Sequence, residues 1–445
     1  YGNARTGKTK SSCRRIMSQD WKTFEPLLIP DIPNLQDIAV YEENGGYDAL
    51  RKILNDQDTW SRKSVINEVK QANIRGRGGA GFNAGLKWSF MPEPDGGPRY
   101  LAANGDESEP GTFKDRKIFE YNPHLFIEGA LIAAYAMTVD TIFVYIRGEY
   151  ISWVDMFQDA VDDAYDKGYL GENILGTDVS IDMEITYGAG AYICGEETSM
   201  LESLEGKRGY PRVKPPFPAQ KGLWGRPTTI NNIETLANVP LVINNGADWY
   251  GDIGSEEHPV PVLYGISGHV NRPGVYEYPT GVPVLDLIND VAGGIRGGKD
   301  LKAIIPGGSS TPPLRADQLE GVTMNSDSLK DAGSMMGTAG LVVMDEDTDM
   351  VDVLWRISHF YHHESCGQCT PCRDGTGWLE KILIKIKNGE GEMKDLDLLL
   401  DLGNQIEGRT ICALADAAVW PVRHTINRFR DEFEAKVKKS VHAVA

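Results

Sequence analysis

Several absences narrow this 445-residue chain before any motif is read. No apolar run reaches the roughly 18 residues that a helix needs to cross a bilayer core. The nearest candidate, Ala130 to Ile146, is cut by Asp140 and reads as a helix followed by a strand. Membrane association is therefore expected only through a partner. Cysteine is scarce, six in all, too few for a secreted disulfide scaffold, and their clustering suits a reducing compartment. Basic charge is in deficit, with 45 Lys and Arg against 64 Asp and Glu for a net charge of -19. Nucleic acid is not an expected partner, since phosphate neutralisation needs clustered cations. There is no Ser/His/Asp or Cys/His nucleophile pattern, no internal repeat and no low-complexity tract.

What is present is concentrated. Cys366, Cys369 and Cys372 stand at C-x2-C-x2-C spacing in Glu364–Asp374, and Cys412 follows in Thr410–Ala413. Three close thiolates with a distant fourth match the ligation pattern of a [4Fe-4S] cluster. Structural zinc more often pairs one C-x2-C with another or with histidines, and no second pair occurs. Buried free cysteines are the plain alternative. His362 and His363 precede the loop and read as surface residues, and Cys194 as a packed small side chain.

The length allows two to four domains, each with its own core. Residues 1–19 carry Arg5, Lys8, Lys10, Arg14 and Arg15 without an acidic residue. This composition fits an organelle transit segment or a disordered basic tail. Gly2–Thr9 satisfies the P-loop pattern letter by letter but lacks the strand before and the apolar helix after that the motif requires. Residues 20–40, with Pro26, Pro30 and Pro33, read as an extended arm. A helix carrying Val65, Ile66, Val69 and Ala72 on one face then ends near Ile74. Strands at Tyr100–Ala103, Ile142–Ile146 and Val179–Ile185 alternate with helices, including Leu125–Ala136, and predict α/β architecture with a mostly parallel sheet. Asn231, Asn232 and Thr235 are read as opening a helix to about Val242. A small α+β unit with strands Val262–Ile266 and Val275–Tyr278 extends to about Val343. Helical periodicity follows from Met350, including Leu396–Leu402 and Val422–Phe433.

Gly76, Arg77, Gly78, Gly79 and Gly81 form a loop with four glycines in six residues, which permits close backbone approach to a flat or anionic ligand. A tight turn between helices is the simpler account. Asp106, Glu107 and Glu109 follow one strand, and Glu196 and Glu197 lie in the loop after another. Ligands of parallel sheets bind beyond the carboxyl ends of strands, although acidic loops are often merely solvated. Lys87 and Lys214 are candidate cations for a phosphate, a flavin or a dinucleotide. Phe82, Phe90 and Phe217 are candidate stacking rings or core. Asn231, Asn232 and Thr235 offer polar groups at a helix start, or plain caps. Residues 209–227, rich in Pro and Gly, are expected to form a long ordered loop.

Gly76–Phe82 with Lys87–Ser89, Asp106–Lys114, Gly188–Thr198, Pro215–Pro218, Asn231–Thr235 and Glu364–Cys372 with Cys412 together resemble the NADH-binding flavoprotein subunit of respiratory complex I. The resemblance spans residues 40–440 with the motifs in the family's order. It implies an α/β fold with a Rossmann-like FMN- and NADH-binding domain over 41–255, after a tail and arm over 1–40. A ubiquitin-like β-grasp domain over 256–343 and a four-helix bundle with a [4Fe-4S] cluster over 344–445 complete it. It assigns Gly76, Gly78, Lys87, Asn104, Asp106, Glu107, Tyr192, Gly195, Glu196, Asn231, Asn232 and Thr235 to FMN. Gly79, Phe82, Phe90, Glu109, Glu197, Lys214 and Phe217 go to NADH. Cys366, Cys369, Cys372 and Cys412 go to the cluster. Gly105, where many family members carry Ala, is expected to loosen its turn slightly. The implied partners are a thioredoxin-like [2Fe-2S] subunit and the large iron–sulfur subunit of the peripheral arm. The implied place is the cytoplasmic face of a bacterial inner membrane, ahead of the matrix side of a mitochondrial one. The diaphorase subunit of an NAD-reducing hydrogenase or formate dehydrogenase shares these motifs and is the alternative.

Overall fold

The computed structural model describes residues 21–255 and 258–442. The basic tail, its P-loop-like letters and Cys13 lie outside the described residues. Four strands, β1 (Tyr100–Gly105), β2 (Thr141–Ile146), β3 (Asp182–Tyr187) and β4 (Thr228–Asn232), form a sheet in the order β3-β2-β1-β4. All three pairings are parallel, so the four carboxyl ends share one edge. The chain steps outward from β1 to β2 and β3, then returns to the far side of β1 as β4. The crevice between β1 and β4 is thus the topological switch point where such sheets bind ligands.

Local chemistry explains these elements. Ile142–Ile146 is an unbroken β-branched and aromatic run, buried as strands covered on both faces are. The helix Pro123–Met137 begins with Pro in its first turn and is buried on every side. Its one carboxylate, Glu128, accepts from Tyr41 Oη at 2.5 Å, Tyr47 N at 2.9 Å and Leu50 N at 3.1 Å. That satisfies the buried charge and ties the preceding helices to the core.

β4 departs from the reading of a helix opening at Asn231. Thr228, Thr229 and Ile230 favour strand, and Asn232 instead closes β4 and caps the helix Ile233–Ala237. The expected run to Val242 breaks at Asn238 before a second helix, Val239–Asn245, with Pro240 in its first turn. Gly105 likewise belongs to β1 rather than to a turn. A Cβ there would lie 3.0 Å from Tyr145 O and 3.3 Å from Phe119 Cζ, so close packing, not a looser turn, is what the glycine serves.

After a short pair, β5 (Gly254–Ser255) and β6 (His258–Pro259), comes a mixed five-stranded sheet. It comprises β7 (Pro261–Gly268), β8 (Gly274–Pro279), β9 (Leu301–Ile305), β10 (Leu314–Arg315) and β11 (Gly340–Asp345) in the order β10-β9-β11-β7-β8. Glu277 on β8 accepts from Leu27 N, Leu28 N and Ile29 N at 2.8–2.9 Å, which straps the extended arm onto this sheet. After β11 the described residues form the helices Met350–Glu364, Thr370–Lys387, Met393–Ile406, Leu414–Arg428 and Arg430–His442. The segment read as helical over Val422–Phe433 is split at Phe429 into the last two of these helices. Among the described residues no helix is long and apolar enough to cross a membrane.

Candidate functional site

A cavity of about 570 Å³ opens at the carboxyl edge of the parallel sheet. Its wall runs from Arg77, Gly78 and Gly79 through Asn104, Asp106, Glu107 and Glu109 to Tyr192, Gly195, Glu196 and Asn232. It then passes Ser310 and Thr338 to Cys412, Leu414 and Trp420. Residues from the glycine loop, from the parallel sheet, from loops beside the second sheet and from the region of Cys412 therefore face one volume. Gly79 at φ +105° and Gly81 at φ +64° hold backbone conformations that side chains rarely tolerate.

The asparagines and carboxylates are oriented by their neighbours. Asn104 Nδ2 donates to Gly195 O at 2.9 Å while its Oδ1 accepts from Asp106 N at 3.1 Å. Glu107 is buried and its carboxylate is taken up by the amides of Lys114 and Asp115, at 2.7 and 2.9 Å, and by Tyr150 Oη at 3.1 Å. It lines the cavity mainly as the cap of the helix Asp115–Tyr121. Glu109 accepts from Ser310 N at 2.8 Å, and burial raises its pKa. Asp106 differs from both. Ser108 Oγ donates to one oxygen at 2.8 Å, but the other, Oδ2, is buried with no hydrogen-bond partner among the described residues. Burial pushes its carboxyl up to about 7, against the pull of Ser108 and Arg147.

A charge ladder leads away from the cavity. Glu196 caps the helix Glu197–Leu204 through Thr198 N at 2.8 Å and Ser199 N at 3.0 Å. Its other oxygen lies 3.0 Å from Lys214 Nζ, which lies 2.6 Å from Glu197, which in turn lies 3.0 Å from Lys87 Nζ. Burial alone raises Glu197, but Lys87 and Lys214 on either side bring it below the usual carboxylate value. Phe82 and Phe90 sit 6.0 Å apart with 47% and 53% exposure, and Phe217 is 53% exposed, so none of the three is core. Gly76, Asn231 and Thr235 stand behind the lining. Asn231 Oδ1 accepts from the Trp88 indole at 2.9 Å and Thr235 Oγ1 from Arg77 N at 2.9 Å, which fastens the glycine loop and the Lys87 helix to the end of β4.

Cys366 and Cys369 lie between the helices Met350–Glu364 and Thr370–Lys387, Cys372 in the first turn of the second, and Cys412 just before Leu414–Arg428. All four pack against one apolar cluster. Among the described residues no three Cys, His, Asp or Glu converge as closely as a single ion requires. Burial pushes the Cys372 and Cys412 thiols up to about 11 and about 12, and a bound metal would favour their thiolate forms. Glu364, at the start of the cysteine loop, accepts from Tyr192 N of the cavity wall at 2.9 Å. Lys114, Asp115, Ser310 and Trp420 also line the cavity and Glu234 pairs with Lys114 behind it, though these positions carry no clear signal in the sequence. Lys114 does close the acidic motif that begins at Asp106, but Ser310 and Trp420 reach the cavity only through long-range folding.

The model of the Nuo51 FMN-binding domain matches residues 69–241, that of the SLBB domain residues 263–353, and that of the NADH-ubiquinone oxidoreductase-F iron-sulfur binding region residues 352–436. The residues fit both groups. The buried Asp106 oxygen, without a partner among the described residues, suits a hydroxyl-bearing ligand such as FMN, and four thiols on one apolar cluster, of which Cys412 also lines the cavity, suit an iron–sulfur cluster. The chain is 50% identical over 418 residues to the second NADH-quinone oxidoreductase F subunit of Rhizobium meliloti, covering 94% of this chain and 98% of that one. It is 49% identical to the corresponding F subunit of Rickettsia bellii, covering 90% and 96%. The chain belongs to the family of NADH-quinone oxidoreductase F subunits. A solved NAD+-reducing [NiFe]-hydrogenase is similar at 35% identity with a TM-score of 0.77, covering 85% of this chain, and the chain spans 63% of that hydrogenase chain.

Proposed function

We propose that the chain is the NADH-oxidising module of an NADH-quinone oxidoreductase, taking hydride from NADH onto FMN and passing electrons singly through a [4Fe-4S] cluster toward quinone. The observation that carries this reading is the single cavity whose wall includes both the glycine loop and Cys412. FMN, when bound, supplies the conversion from two-electron to one-electron transfer. The side chains bind and orient, and no acid, base or nucleophile is required of them. Asp106 offers a free acceptor oxygen, Asn104 and Asn232 present fixed amides, and Glu109 braces the cavity against Ser310. Glu197 and Lys214, with the exposed Phe82, Phe90 and Phe217 rings, form the entry for NADH, and Glu196 and Lys87 at the ends of their ladder are FMN contacts. Cys366, Cys369, Cys372 and Cys412 hold the cluster.

On this reading the chain divides near residues 40, 255 and 343. It docks with a thioredoxin-like [2Fe-2S] subunit and a large iron–sulfur subunit, and it sits on the cytoplasmic face of a bacterial inner membrane. Bacterial relatives spanning most of the chain support that placement. The lower identity and partial coverage of the hydrogenase favour the oxidoreductase over a diaphorase role. Anaerobic titration of the purified chain with NADH tests the reading. Bleaching of flavin absorbance with the appearance of a reduced-cluster EPR signal is expected. A colourless, zinc-containing protein would overturn it.

A further inference from the structure

Against the floor of the cavity lies a group of charges that the proposed function does not use. Lys114 is 1% exposed, with Nζ 2.8 Å from Asp115 Oδ1 and 2.7 Å from Glu234 Oε2. Glu234 accepts from Leu263 N at 3.0 Å and stands 3.8 Å from Arg77 Nε. Asp115 Oδ2 accepts from Asn232 Nδ2 at 2.6 Å. Buried ion pairs are close to neutral for stability, and apolar residues of similar volume often serve as well. Stability alone does not account for placing four charges here.

The arrangement does determine one thing, the sense of the Asn232 amide. A carboxylate can only accept, so the atom facing Asp115 must be the nitrogen. A second, longer bond from Nδ2 to Asn104 O at 3.4 Å agrees. Oδ1 is left with a long 3.4 Å bond from Thr235 N. Beyond that capping bond the carbonyl oxygen has a lone pair left, and Asn232 stands on the cavity wall. Asp115 in turn is held by Lys114, and Lys114 by Glu234.

We propose that Asp115, anchored through Lys114 and Glu234, is a positioning residue that locks the Asn232 amide so that its carbonyl accepts from a donor group of FMN, a ribityl hydroxyl or the ring imide N–H, rather than binding the phosphate. The inference rests on the FMN reading above. It differs from a general folding role because its effect must pass through Asn232 and must not depend on the phosphate.

The test measures binding of FMN and of phosphate-free riboflavin to the flavin-depleted chain by quenching of flavin fluorescence, with the cluster EPR signal as the check on folding. If the unsubstituted chain binds no flavin, the functional reading itself fails. If it does bind, Asp115→Asn and Asn232→Ala should each weaken both flavins about tenfold, with the double variant no weaker than Asn232→Ala alone. Should Asp115→Asn fail to fold, the charge-neutral pair Lys114→Met with Asp115→Asn serves instead, with the same tenfold loss expected. Unchanged flavin affinity in the folded variant, losses that multiply in the double variant, or a loss confined to FMN would each overturn the proposal.

Discussion

Two sets of alternating charges border the same cavity and are built in opposite ways. The floor set, Lys114, Asp115, Glu234 and Arg77, has side chains between 0% and 5% exposed. The ladder, Glu196, Lys214, Glu197 and Lys87, is between 21% and 31% exposed. Charges withdrawn from water interact strongly and cannot relax, so the floor acts as a fixed frame. Charges that remain wet are screened and exchange partners cheaply, which suits a dinucleotide that must arrive and leave. On the proposed function, the cofactor that stays and the substrate that turns over are served by the same residue types at different depths.

The largest effect is expected from breaking the frame. Lys114→Met leaves Asp115 and Glu234 without their cation and should cost about 3–5 kcal/mol in urea unfolding. Adding Glu234→Gln should recover most of it, because one charge of each sign is then gone. Equal losses in the single and paired variants would mean that packing, not charge, is at stake.

Asp106 sharpens the contrast, since one of its oxygens is buried with no hydrogen-bond partner among the described residues. Its folded pKa of about 7 exceeds the unfolded value of 3.8. The folded state therefore binds the proton more tightly, and its contribution is complete below about pH 4 and lost as pH rises through 7. The flavin-free chain should lose at least about 1 kcal/mol over that window relative to Asp106→Asn, whose slope is flatter. Parallel pH profiles of thermal unfolding would contradict this.

The ladder should yield smaller changes in stability and larger ones in substrate use. Lys214→Met should shift unfolding by less than about 1 kcal/mol, raise the KM for NADH several-fold and leave flavin content unchanged. Added salt should weaken NADH binding in the unsubstituted chain more than in this variant. Least of all, Phe82→Ala should alter stability by no more than about 0.5 kcal/mol, as exposed positions do, with a modest rise in KM for NADH.

How far the sequence foretold this follows from distance along the chain. β1 and β2 were readable as short apolar runs between helical segments, and β3 as an alternating stretch, read at Val179–Ile185 and found at Asp182–Tyr187. β4 was not, because Asn231 and Asn232 at its end read equally well as helix caps, and only pairing with β1 decides the matter. The glycine loop, the acidic pairs and the cysteines were visible as local clusters. That Glu107 spends its carboxylate on the amides of Lys114 and Asp115 was not, since the same letters serve a ligand contact or a cap. Glu234 carries no local signal at all. Its partners Lys114, Arg77 and Leu263 come from three distant segments, and its burial is a property of the fold alone.

On the proposed function, flavin and cluster border one cavity, with Cys412 as the thiol between them. Replacing Cys412 with Ser and recording the EPR spectrum after anaerobic NADH addition tests this most directly, with flavin absorbance followed in the same sample. The flavin is predicted still to bleach while the [4Fe-4S] signal is lost or altered. An unchanged cluster signal would show that Cys412 is not a ligand and would separate the cavity from the cluster.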